Sequence, residues 1–247
     1  MRILVTAGNT QTPIDQVRCI TNIFTGRTGA WLALTAFRRG HEVHLLTSHP
    51  ETVTRLSETP PSSGTRWQIH PYRTFDDLHE LLRTALERQD WGPFDAVIHC
   101  AAVSDYAVEG IYARSEPTSQ VPARLEDFLT NATAPKVTSS HPEVWLRLVP
   151  TPKLIDQMRS RWNFQGVLVK FKLEVGVSEE RLLEIAEQSR QHSHADLMAA
   201  NTLEGMHDWA YLGPCDGQYE RLARTSLASQ LLDAVEGLHA RKGTAHG

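Results

Sequence analysis

Apolar residues fall along this chain in short β-branched runs that alternate with longer stretches of helical period. The runs predict strands at Arg2–Thr6, Glu42–Thr47, Trp67–Tyr72, Ala96–Ala101, Val144–Val149, Val167–Leu173 and Asp196–Ala200. The stretches between them predict helices at Thr28–Arg39, Thr74–Arg88, Pro152–Arg161, Ser178–Gln191 and Thr225–Leu238. Ser178, with two acids after it, reads as a helix start suited to the helix dipole; Thr151 reads as a cap before a proline at the first helical position. Alternation of this kind predicts an α/β fold, a mostly parallel sheet with helices on both faces. Two segments break the rhythm. Ala107–Lys136 carries three prolines and mixed periodicity, and a loop of that length in a compact domain marks a functional loop or an interface arm. "WAYLGPCDGQYERLAR" predicts a C-terminal β-hairpin turning at Asp216-Gly217. With no linker composition anywhere, residues 1–240 read as one domain, with an arm at about 107–136, and residues 241–247 as a flexible tail.

Composition narrows the class. A chain of 247 residues buries a substantial core, and a net charge of −4 leaves no basic footprint for nucleic acid. No targeting segment and no apolar run of membrane-spanning length is present. Cys19, Cys100 and Cys215 form no C-x-x-C pair, which predicts a reduced, cytoplasmic setting. His192 and His194 read as a solvated helix end, and His41 and His44 likewise; no metal-ligand residues are predicted. The G-x-S-x-G and Walker A patterns are absent.

In open parallel sheets, ligands gather beyond the carboxyl ends of the strands. The chain's unusual residues fall there: Thr6–Asn9, Ala101–Asp105, Phe171–Glu174 and Asn201. Singly each has a bland reading: Gly8 a tight turn, Asp105 a cap, Phe171 core. Their shared position favours function. Gly26-Arg27-Thr28-Gly29 opens a helix, where free N–H groups and missing side chains admit a phosphate. The second strand ends in Thr47-Ser48-His49, with no acid for ribose hydroxyls, which counts against NAD. The residues by themselves leave open a nucleotide-using enzyme, an NAD(P)-dependent reductase and a nucleotide-sensing binding protein.

Taken together, five segments resemble the phosphopantothenoylcysteine synthetase (phosphopantothenate–cysteine ligase) family. "TAGNTQTPIDQVRCITNIFTGRTG", Thr6 to Gly29, resembles its first motif, T-A-G-G-T-x-E-P-I-D-x-V-R-x-I-x-N-x-S-S-G-x-x-G. "AAVSDY" at Ala101–Tyr106, "KVTSS" at Lys136–Ser140, "KFKLE" at Lys170–Glu174 and "LMAAN" ending at Asn201 follow in the family's order. The resemblance implies a Rossmann-like domain that dimerises through the arm. It further implies a ligase joining 4'-phosphopantothenate to cysteine in coenzyme A biosynthesis, through an acyl-nucleotide made from CTP or ATP with Mg2+. It assigns Asn22 to the acyl-nucleotide and Lys136 to the charge building on the phosphates. Arg18 would reach the substrate phosphate of a neighbouring subunit, and Ala101, Ala102 and Asp105 would meet the substrate. Gly8, Gly26 and Gly29 would line the triphosphate, with Phe171 and Asn201 bordering the nucleotide. The spelling around the arm resembles free-standing bacterial members, so the flavin-dependent decarboxylase of fused relatives is not expected and no FMN is predicted. The same fold serving another substrate is the alternative.

Several positions depart from the pattern. Asn9 stands for its second glycine, which sets a side chain near the phosphate position; Thr12 replaces an acid; Phe24 removes a hydroxyl that Thr25 keeps. The lysine cluster of the family is reduced to Lys136 and Lys153, and Arg190, Gln191 and His192 stand on the helix that carries lysines in CTP-using members.

Overall fold

The computed structural model describes residues 1–114 and 129–244. Eight strands form the central sheet: β1 (Arg2–Ala7), β4 (Glu42–Thr47), β5 (Trp67–Pro71), β6 (Ala96–His99), β10 (Val167–Glu174), β11 (Leu197–Thr202), β12 (Trp209–Cys215) and β13 (Gln218–Ala223). Their spatial order is β13-β12-β11-β10-β6-β1-β4-β5. From β5 to β11 every pairing is parallel, and β12 and β13 close that edge antiparallel. The chain lays β1, β4 and β5 outward, then crosses back so that β6 joins the other side of β1. That reversal between β1 and β6 is the switch point at which a doubly wound sheet opens a crevice for ligands. The Rossmann-like expectation therefore holds.

Side chains alternate across the sheet. Ile3, Val5 and Ala7 of β1 pack with Ala96 and Ile98 of β6 and Val167 and Val169 of β10 under α1 (Arg27–Arg38) and α6 (Leu227–Thr244). Leu4, Val97 and Leu168 point the other way, onto α3 (Phe75–Leu82) and α4 (Leu154–Ser160). This period of two, buried on both faces, is why these strands read as unbroken apolar runs. A smaller core of Leu182, Ala186, Met198 and Ala200 seats α5 (Glu179–His192) on β11.

The expected elements recur with small shifts, and several differences are informative. α3 starts with a full capping box between Thr74 and Asp77, but its last turn widens into a π-helical turn over Arg83–Glu87. A short helix, α2 (Glu51–Leu56), stands where no element was expected. Thr151 does not cap α4: its Oγ1 donates to the Ser104 carbonyl (2.6 Å), and Lys153 takes the cap position without a side-chain bond. Ser178 does cap α5, accepting from the Arg181 N–H (3.2 Å). The hairpin turn has Asp216 and Gly217 both at positive φ (49° and 84°), the primed geometry that fits twisted strands. α6 continues through Thr244, so residues 241–244 are helical rather than part of a tail; 245–247 lie outside the described residues.

Outside the main sheet, β2 (Gln11–Pro13) and β3 (Cys19–Thr21) form a hairpin inside the first motif. β7 (Tyr106–Arg114) pairs antiparallel with β8 (Leu129–Asn131) and β9 (Val144–Pro150). Much of the expected long loop is thus a strand. The part of the arm at 115–128 lies outside the described residues. No helix among the described residues is long and apolar enough to cross a membrane.

Candidate active site

The sequence-predicted residues, apart from Arg18 and Lys136, converge on the crevice at the switch point. Thr6 lies level with His99 on β6, His99 with Lys170 on β10, and Lys170 with Met198 on β11. One residue further out stand Ala7, Cys100, Phe171 and Ala199, and Asn201 projects beyond them. At about 4.8 Å per strand, the row from β1 to β11 spans about 14 Å, the length of an extended ligand rather than a single small group.

Three glycines make the junction between β1 and α1. Gly26 is the N-cap of α1 at φ 77°, and Gly8 follows β1 at φ 90°. A Cβ on Gly26 would meet the backbone N and Cα of Gly8, the latter at 2.8 Å. A Cβ on Gly29 would stand 2.6 Å from the Ala7 Cβ and 2.9 Å from the Thr6 carbonyl oxygen. The chain's own backbone fills the space these glycines leave. A phosphate here would meet N–H groups at the start of α1, which has no side-chain cap and no acid in its first turn.

Asn9 accounts for the departure from the pattern. Its side chain does not point at the phosphate position: it is buried, its Nδ2 donating to the Asn22 carbonyl (2.5 Å) and its Oδ1 accepting from Ser48 Oγ (3.2 Å). The Asn9 N–H donates to the same Ser48 oxygen (2.9 Å). Ser48, read above only as a missing acid, thus anchors the loop. Asn22 in turn donates from Nδ2 to the Ala102 carbonyl (2.9 Å), and the Ala102 N–H donates to Gly8 (2.8 Å). Gly8, Asn9, Asn22 and Ala102 form one hydrogen-bonded group, with the Oδ1 of Asn22 left for a ligand.

Asp105 is exposed and ion-paired with Lys153, the second of the reduced lysine pair. Phe171 is half-buried and packs on the core. Lys170 beside it turns to the C-terminal end of α5, donating to Ser193 Oγ (2.8 Å) and the Ser189 carbonyl (3.0 Å). Burial and the nearby Lys170 charge push His99 down to about 4, so it is neutral at pH 7, with Nδ1 3.0 Å from Thr6 Oγ1. Burial pushes the Cys100 thiol up to about 12, which removes it as a nucleophile.

Lys136 is not brought to Asn22 within the chain. It stands at the tip of the β2–β3 hairpin, touching the Ile14–Arg18 turn through its neighbours. Asn22 stands at the hairpin's base, four residues from Arg18, about 13 Å along an extended strand. Arg18 itself pairs with Asp15 (2.5 Å).

Sequence reasoning missed Arg224. It follows β13, is half-buried, and donates to Thr28 Oγ1 in the first turn of α1. No carboxylate pairs with it among the described residues. Its signal in sequence is faint, since an arginine after a hairpin is usually solvated. His44 is a correction of another kind. Far from solvated, it is fully buried in the sheet, beside the stacked pair His70 and Trp91, with Nδ1 3.2 Å from His70 Nε2. No three potential metal-ligating side chains gather among the described residues.

Known proteins match this arrangement. The family model for the DNA/pantothenate metabolism flavoprotein C-terminal domain matches residues 1–117. The crystal structure of the DNA/pantothenate metabolism flavoprotein from Streptococcus pneumoniae superposes with a TM-score of 0.79 at 30% identity, covering 97% of this chain and 100% of that one. The coenzyme A biosynthesis bifunctional protein CoaBC of Thermococcus kodakarensis is 32% identical over 95% of this chain and 51% of its own length. The chain thus spans about half of that curated relative. A structure described as Cab2 mutant H337A in complex with phosphopantothenate-cysteine shares the fold, with a TM-score of 0.70 at 21% identity, covering 99% of this chain and 87% of that one. With four of the five motifs placed around one crevice and the whole length of a 30%-identical structure matched, the chain belongs to the family of the DNA/pantothenate metabolism flavoprotein C-terminal domain, the synthetase part.

Proposed function

We propose that the chain is a ligase that joins 4'-phosphopantothenate to cysteine through an acyl-nucleotide, as a step of cytoplasmic coenzyme A biosynthesis, with CTP or ATP as co-substrate. The observation that carries this reading is the tethered Asn22 at the mouth of the β1–α1 junction, its carboxamide donating to the Ala102 carbonyl and its main-chain carbonyl accepting from the Asn9 side chain. Family membership supports it.

The substrate carboxylate attacks the α-phosphorus, and pyrophosphate leaves. The amine of cysteine then attacks the acyl carbon, a proton is lost to solvent, and the nucleoside monophosphate leaves. In the first step the open N-terminus of α1 faces the phosphates, and the Lys136 ammonium offsets charge on the α-phosphoryl group. In the second, the free Oδ1 of Asn22 accepts from a donor on the bound intermediate and fixes its acyl group. A nucleotide-borne Mg2+ fits the donor set, because such an ion keeps the triphosphate and water as its main ligands, with one carboxylate such as Asp105 within the site.

The separation of Lys136 from Asn22 supports a site completed by a second copy of the chain in a homodimer. Val17, Ile20, Tyr106, Val144, Trp145 and Leu148 leave apolar surface exposed on the hairpin and the β7–β9 sheet, which fits such an interface.

The test is to incubate the purified protein with phosphopantothenate, cysteine, magnesium and either CTP or ATP, and to follow pyrophosphate and product mass. Pyrophosphate with the cysteine adduct is expected. Folded protein that yields neither with either nucleotide overturns the reading.

A further inference from the structure

The turn of the β2–β3 hairpin is built around one carboxylate. The Asp15 side chain has no solvent exposure, although its partner Arg18 is 48% exposed. Oδ1 accepts from the main-chain N–H groups of Val17 (2.9 Å) and Arg18 (2.8 Å), the local bonds of an aspartate turn. Oδ2 faces outward from that turn. It accepts from Arg18 Nε (3.1 Å) and Nη2 (2.5 Å), and from the N–H of Val137 (3.1 Å), 122 residues along the chain. Arg18 Nη2 also donates to the Val137 carbonyl (2.7 Å), and the Gln16 N–H donates to the Pro135 carbonyl (3.0 Å).

The peptide groups on both sides of Lys136 are therefore fastened to the hairpin. The Lys136 side chain is exposed and makes no hydrogen bond or ion pair among the described residues. A fixed backbone beneath a free ammonium is what a charge-neutralising lysine requires. Its long side chain already carries substantial rotamer entropy, and a mobile Cα would add to what must be ordered at the phosphates. Five donors and the Arg18 charge also hold the Asp15 carboxyl well below the usual carboxylate range, so it stays ionised.

We propose that Asp15 is a positioning residue for Lys136, clasping its segment to the hairpin so that the ammonium is held for the nucleotide's phosphates bound in the site of the second copy. The proposal rests on the ligase reading. It assigns the two oxygens of Asp15 separate tasks: Oδ1 folds the turn, and Oδ2 fixes the lysine segment.

Asp15→Asn separates those tasks. The amide oxygen can keep the two local bonds, while its NH2 group would then face the Val137 and Arg18 donors and the clasp opens. Amide exchange by NMR should show Val137 losing about tenfold or more of its protection, with sheet amides unchanged. The rate of pyrophosphate release should fall by about ten- to a hundredfold, with the nucleotide KM changed less than about threefold. Asp15→Glu, which keeps the charge, should restore part of both. A cycle with Lys136→Gln decides between positioning and mere hairpin stability. If Asp15 acts through Lys136, adding Asp15→Asn to Lys136→Gln costs less than about twofold more. Multiplying losses, or a Val137 amide as protected in Asp15→Asn as in the wild type, overturn the proposal. Absence of pyrophosphate release by the wild type defeats the ligase reading itself, a distinct result, and the proposal falls with it.

Discussion

Every residue of β6 is buried, whereas no residue of β9 is, although both are short runs rich in valine, leucine or isoleucine. β6 lies between β1 and β10, with helices over both faces. β9 forms one edge of a three-stranded sheet that carries Trp145 and Leu148 into solvent. The difference separates what this chain completes by itself from what it offers to something else. The sheet owes its stability to contacts within the described residues, and its end carries the candidate site. The exposed apolar residues of the β7–β9 sheet find no cover among the described residues, and the proposed homodimer would supply it.

That contrast breaks most sharply at the junction of β1 and α1. Gly26→Ala adds a Cβ at positive φ against the Gly8 backbone, combining strain with a clash that neither element can relieve. A loss of about 3 kcal/mol or more is expected, read as a lower urea midpoint at unchanged m. On β9, Trp145→Asp with Leu148→Asp should leave the unfolding free energy of the isolated subunit within about 0.5 kcal/mol, since neither side chain is buried. The same pair should raise the dimer dissociation constant by about tenfold or more in sedimentation. A monomeric wild type would remove the interface from the comparison.

The most gradual effect lies inside the sheet. Burial pushes His70 down to about 4, and His44 beside it is also lowered by burial. The fold therefore favours neutral imidazole, while the unfolded chain takes up a proton near 6.5. The His70 contribution is complete above about pH 6.5, is lost as pH falls towards about 4, and is flat below. Its slope is at most about 1.4 kcal/mol per pH unit. His70→Gln should flatten this part of a Tm-against-pH curve, while the buried His99 keeps its own share.

How much of this was legible differs by region. The parallel sheet was, because two-sided burial writes itself as continuous apolar runs such as Ala96–His99, and because Asp216-Gly217 admits one tight turn. β2, β3 and β7 were not: their residues alternate weakly, and their pairing depends on partners far along the chain, as Tyr112 meets both Asn131 and Trp145. His44 failed for a related reason, since a histidine in a strand is silent about whether an aromatic neighbour such as Trp91 will cover it. In the site, the motifs named Asn22 and the glycines. They contained Asp15 but said nothing of its outer oxygen's hold on Val137, and they were silent about Arg224, which reaches α1 from the opposite end of the chain.

The Asn9 side chain carries a consequence for how a ligand is received. Where a glycine would leave the Asn22 loop to explore many shapes, Asn9 ties the Asn22 carbonyl to Ser48 and so to the end of β4. The loop has surrendered that freedom before any ligand arrives. Association then proceeds with a smaller entropic penalty and a narrower choice of ligand shapes, a trade of versatility for readiness made by one amide.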